Sequence, residues 1–102
     1  MHIDHDKVRR EQVRWVILLS LNNARPEGCY EHLVRATVQT VFQDATALEI
    51  RRELDYLEDR KLIHIRKEPS GKWWAELTRY GIDIVEYTID CGPGIARPEK
   101  YW

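Results

Sequence analysis

The chain has 102 residues, with 16 Lys+Arg against 17 Asp+Glu and a formal charge of −1. With 43% hydrophobic and 32% charged residues it has the composition of one small folded domain, too apolar for a disordered chain. The near-neutral balance excludes a strongly basic nucleic-acid coat protein, so any attraction to a polyanion has to come from local clustering of charge.

The longest apolar run, Trp15 to Leu19, falls far short of the roughly 20 residues that cross a bilayer. The first six residues lack a basic flank leading into an apolar stretch, so no signal peptide is visible. Two cysteines, Cys29 and Cys91, cannot build a disulfide framework and point to a reducing compartment. These features predict a cytoplasmic protein with no membrane partner.

Residues 4–23 read as a first helix. Val8, Val13, Val16, Ile17 and Leu21 recur at helical spacing, and Asp4 or Asp6 supplies an N-cap. Asn22-Asn23 and Arg25-Pro26-Glu27-Gly28 end it. Residues 30–42 read as a second helix whose buried stripe is Leu33, Val34, Val38, Val41 and Phe42. Its many β-branched residues make it a poor intrinsic helix former, held by packing; a strand is the minor alternative.

The third helix has the cleanest signals. Thr46-Ala47-Leu48-Glu49 has the form of a capping box, and Ile50, Leu54 and Leu57 make one apolar face of a helix ending near Lys61. The period then falls to two. Ile63 and Ile65 face one way, with His64 and Arg66 facing the other. Pro69-Ser70-Gly71-Lys72 is a turn, and Trp73, Ala75 and Leu77 form the core face of a second strand. Such a hairpin must pack on the helices to be stable. Residues 78–88 form a short closing helix with Ile82, Val85 and Ile89 apolar, and residues 91–102 carry too much Gly and Pro for regular structure.

Helix, helix, helix, hairpin, helix is a familiar order, and from residue 47 to 86 the sequence resembles the winged-helix DNA-binding domains of the PadR and MarR type of bacterial regulators. The stretch beginning Ile50-Arg51-Arg52-Glu53-Leu54 and ending Lys61-Leu62-Ile63 looks like a recognition helix running into the first wing strand. Pro69-Ser70-Gly71-Lys72-Trp73-Trp74 looks like the wing tip, and Leu77-Thr78-Arg79-Tyr80-Gly81 like the second strand entering the closing helix. These regulators usually have Gly where Lys61 stands, which predicts a looser turn here. A fainter resemblance, to small winged-helix proteins of Mu-like transposable phages, rests on Gly94-Ile95-Ala96-Arg97-Pro98.

The resemblance implies an α+β winged helix-turn-helix over residues 1–90, followed by an irregular tail, with double-stranded DNA as partner. Helix three would enter the major groove while the wing follows the adjacent backbone. The residues placed to contact DNA are Thr46, Arg51 and Arg52 on the helix and Arg66, Lys67 and Lys72 on the wing.

Charge divides unevenly between these parts. Residues 46–61 carry five acids against four bases, with Asp55 read as a surface partner of Arg51 or Arg52 and Glu49 as part of the capping box. The wing, residues 64–74, carries three cations against one acid. A mildly acidic helix is unfavourable in a groove lined by phosphate. The competing reading is therefore a winged helix used as a protein-interaction adaptor, as in phage assembly or packaging. Trp74, Tyr101 and Trp102 are hard to bury in a chain of this size and are candidate contacts to a partner or to a second copy in a homodimer. Docking of the tail on its own chain stands as an equal alternative.

His2-x-x-His5 and Cys29-x-x-His32 have the spacing of zinc half-sites. The weight lies with an exposed histidine pair and a small packed cysteine, so no metal or cofactor is expected. Cys91 has no identifiable base beside it and reads as packing. Without a phosphate-binding glycine loop, a nucleophile elbow or a paired-histidine metal motif, no enzyme is expected.

Overall fold

In the computed structural model, which describes residues 2–101, Asp4 accepts the Lys7 N–H and starts helix α1 (His5–Asn23). Val13, Ile17, Leu18 and Leu21 form its buried face; Val8, nearer the start, is exposed. The chain then makes a two-residue strand β1 (Cys29–Tyr30) and turns at once into α2 (Glu31–Gln39). Helix α3 (Ala47–Asp59) follows, then strands β2 (Ile63–Lys67) and β3 (Trp73–Leu77), and α4 (Arg79–Val85).

The hairpin is thus not two-stranded. Cys29 and Tyr30 pair antiparallel with Ala75 and Trp74, giving a three-stranded sheet in the order β1-β3-β2. Two residues carry no period of their own, and this strand exists because β3 offers a free edge beside it. The main register sets Ile63 opposite Leu77, Ile65 opposite Ala75, Arg66 opposite Trp74 and Lys67 opposite Trp73.

Helix α2 is shorter than its pattern predicts. Val34 and Val38, one turn apart, are buried, whereas Leu33 and Val41 are exposed and Phe42 is half-buried. A nine-residue helix presents only one stripe to the core, and Val41 falls beyond its last turn. In α4 the buried positions are Gly81, Ile84 and Val85, with Ile82 half-buried and Ile89 outside the helix. Gly81 is required by contact: a Cβ there would collide with the Leu62 carbonyl, which also accepts the Thr78 N–H.

The turn after α3 is tight, not loose. Lys61 adopts φ 67°, its N–H bonds Glu58 O, and the Leu62 N–H bonds Leu57 O. This is the paired 5→2 and 6→1 closure that glycine usually completes, achieved with a lysine.

Beyond α4, the segment 91–98 has no regular structure yet is docked on its own chain. Cys91 and Ile95 are buried in the core. Arg60 donates to Cys91 O and Pro93 O, Arg14 donates to Gly94 O, and the Ala96 N–H bonds Glu11 O in α1. These side-chain donors replace the ladder that Gly and Pro deny the segment.

Candidate nucleic-acid interface

Helix α3 is oriented by its own periodicity. Ile50, Glu53, Leu54 and Leu57 are buried, so Leu48, Arg52, Asp55 and Asp59 lie on the exposed side. Glu53 is tolerated inside because Arg14 donates to it at 2.7 Å while its guanidinium sits 3.5 Å from the Tyr56 ring centroid. The exposed face is divided along its length. Thr46, Ala47, Leu48 and Arg52 occupy the N-terminal half, and the two acids occupy the C-terminal half.

Thr46 caps α3 by accepting the Glu49 N–H at 3.1 Å, which leaves its hydroxyl proton to donate outward. The Glu49 carboxylate does not close the capping box. It receives the Arg9 guanidinium from α1 at 2.8 and 2.9 Å, and the same guanidinium holds Asp44 at 2.9 and 3.2 Å. Arg9 therefore offsets part of the acidic charge beside the helix start and lowers the Asp44 carboxyl below its ordinary range by hydrogen bonding.

Arg51 and Arg52, adjacent in sequence, have different environments. Arg52 is exposed in the middle of the α3 surface. Arg51 is bound to Glu31 of α2 through two bonds of 2.7 and 2.6 Å, donates to the Gly71 carbonyl at the wing tip at 2.7 Å, and lies 4.6 Å from the Trp73 ring centroid. The anticipated partnership of Asp55 with Arg51 is thus replaced by Glu31, twenty residues away.

The wing cations rest on aromatic faces. Lys67 lies 4.3 Å from the centroid of Trp73, its cross-strand partner, and Arg66 lies 4.3 Å from that of Trp74. A ring beneath a cation restrains it without neutralising it. The two-residue alternation puts Lys67 on the α3 side of the sheet and Arg66 on the other. Lys72 is exposed at the tip. Glu68, the single acid of the wing, accepts the Tyr30 hydroxyl at 2.9 Å and an Arg66 donor at 3.4 Å.

The remaining candidates are scattered. Trp74 is half-buried, crossing β1 at Tyr30 and covering Gly28, where an added Cβ would meet its ring. Tyr101 is 91% exposed, and Trp102 lies outside the described residues. Cys29 and Cys91 are free thiols, and burial pushes both above the ordinary thiol range. His5 lies in the first turn of α1, whereas His32 stacks on Tyr30 at the start of α2. Among the described residues no cluster of three or more His, Cys, Asp or Glu is placed to hold a metal ion, and no helix is long and apolar enough to cross a membrane.

In sequence the chain matches no protein-family model and no curated protein. In three dimensions it superposes on solved structures of RosR from H. salinarum with a TM-score of 0.65 at 18% identity, covering 74% of this chain and 67% of that one. The fold is a winged helix. BpsR from Bordetella bronchiseptica matches with a TM-score of 0.61 at 24% identity over 84% of this chain and 60% of its own. An S. aureus MepR variant bound to an oligodeoxyribonucleotide matches with a TM-score of 0.61 at 19% identity over 80% and 64%. The chain thus spans about two thirds of the length of these proteins or somewhat less.

Within this winged helix, α2 and α3 form the helix-turn-helix and β2–β3 the wing. Sequence reasoning missed Glu31, Tyr30 and the shared role of Trp73. Glu31 and Trp73 meet Arg51, and Tyr30 meets Glu68, across 20 or more residues, and no local spacing announces these contacts.

Proposed function

We propose that this chain binds double-stranded DNA as a winged-helix regulator, with the N-terminal half of α3 in the major groove and the wing on the flanking backbone. One observation carries the reading. Thr46 and Arg52 lie exposed on the half of α3 whose two acids, Glu49 and Glu53, are bound by Arg9 and Arg14, and Lys67 extends the same side of the molecule with its charge held on Trp73. Recognition helices commonly place their N-terminal residues against base edges, so Asp55 and Asp59 stand back from the bases. BpsR and MepR, which share the fold, are described respectively by regulation of DNA binding and by a bound oligodeoxyribonucleotide. Arg52 reads a guanine edge, Thr46 and Lys67 hold phosphates, and Lys72 and Arg66 follow the backbone. The setting is cytoplasmic and either bacterial or phage-encoded. A homodimer would present two such half-sites about one helical turn apart.

Fluorescence anisotropy on labelled duplexes, at low and moderate salt, tests this reading. Arg52→Ala is expected to lose about 1–3 kcal/mol of discrimination between sequences, and Lys72→Ala to weaken all sequences alike and reduce the salt slope by about one. Absence of salt-dependent binding at micromolar protein would refute it. Leu33, Val41 and Leu48, exposed on the helix-turn-helix, favour a second reading, in which this surface contacts another protein. That adaptor would bind no duplex at any salt concentration.

A further inference from the structure

We propose that Arg51 is a positioning residue: as a latch with Glu31 it sets the wing at a fixed distance from the recognition helix, leaving direct DNA contact on α3 to Arg52. The inference rests on the DNA-binding reading and goes beyond it. One guanidinium joins three elements. It forks onto the Glu31 carboxylate at 2.6 and 2.7 Å, donates to the Gly71 carbonyl at 2.7 Å, and stacks over Trp73 in β3. Glu31 is mostly buried, with its side chain 18% exposed, so the carboxylate is already desolvated to receive this partner. A bidentate arginine–carboxylate pair fixes direction as well as distance.

Besides the Tyr30 hydroxyl bond to Glu68 at the start of its turn, the wing tip has little else to hold it. Its turn is closed by two backbone bonds, Glu68 N–H to Lys72 O and Gly71 N–H to Glu68 O, both at 2.9 Å, and Pro69, Ser70, Gly71 and Lys72 are all exposed. A two-stranded extension of this kind is mobile unless anchored, and DNA binding would then have to order it. With Arg51 in place the tip is ordered before DNA arrives.

Glu31→Gln gives the sharpest test because electrostatics and latching predict opposite signs. Removing an acid near a polyanion should strengthen binding. Loss of the latch should instead weaken duplex binding about three- to tenfold, with the salt slope unchanged, because no phosphate contact is removed. Arg51→Gln should weaken binding similarly, and the double variant should be no worse than either single one. In the free protein, amide hydrogen exchange at Glu68 and Gly71 should accelerate in both variants. That measurement needs no DNA, so failure of the latch is distinguishable from failure of DNA binding by the unaltered chain. Should Arg51→Gln not fold, Glu31→Gln carries both readouts alone. Tighter binding by Glu31→Gln, unchanged exchange, or a slope lowered by about one in Arg51→Gln would overturn the proposal.

Discussion

Lys61 shows how a single residue can be at odds with its own backbone. Its φ of 67° lies in the left-handed region, where a Cβ crowds the following carbonyl. The conformation is imposed from both sides: Leu62 returns its N–H to Leu57, and the Lys61 carbonyl accepts the Thr78 hydroxyl at 2.6 Å. Lys61→Gly should therefore stabilise the chain by about 1 kcal/mol, raising the melting temperature by roughly 4–8 °C in thermal unfolding followed by circular dichroism. Lys61 is exposed, so the exchange removes no buried side chain. Arg51 and Arg52 make the complementary point. They are chemically identical neighbours, and 100° of helical rotation makes one a bridge between elements and leaves the other exposed.

At the scale of elements, α3 is held by charges that come from elsewhere. The cap at Thr46 was legible, since threonine followed three residues later by glutamate is a local signature. The destination of Glu49 was not, because Arg9 approaches from a helix forty residues earlier. This cluster makes a pH prediction. The Arg9 hydrogen bonds lower the Asp44 carboxyl in the folded chain, so the unfolded chain binds the proton more readily. The contribution is present above the unfolded pKa and lost as pH falls through the lowered folded value. In a carboxyl-detected NMR titration Asp44 should titrate below the ordinary aspartate range, and Arg9→Ala should return it there. The melting temperature of Arg9→Ala should correspondingly fall less steeply on acidification than that of the unaltered chain. The short helix α2 is the opposite case: its pattern overstated its length, since Leu33 and Val41 are apolar without being core.

For the whole molecule, the segment after α4 is part of the fold. Ile95 and Cys91 fill core positions, Arg97 donates to Ile84 O and Ile89 O, and Arg14 links the buried Glu53 to Gly94. Deleting residues 91–102 should cost about 3 kcal/mol or more in chemical denaturation, from two lost apolar side chains and an opened buried ion pair. Deleting only residues 99–102 should, if Tyr101 and Trp102 join two copies, halve the mass seen by light scattering.

The sequence by itself determined the order of the four helices and the two wing strands, the cap at Thr46, a cap at Asp4 or Asp6, the wing turn at Gly71, the apolar faces of α3 and the hairpin, and that of α1 beyond Val8. Each of these is written in spacings of two to four residues, which is the range over which a backbone period acts. Tertiary structure alone decided the third strand, the docking of the tail, and which of the basic residues are occupied. Those depend on what a free strand edge or a desolvated carboxylate finds across the molecule, and the formal charge of −1 conceals the result. Glu31, Asp44, Glu49 and Glu53 are bound by Arg51, Arg9 and Arg14. Arg52, Lys67 and Lys72 are thereby left to define the candidate surface.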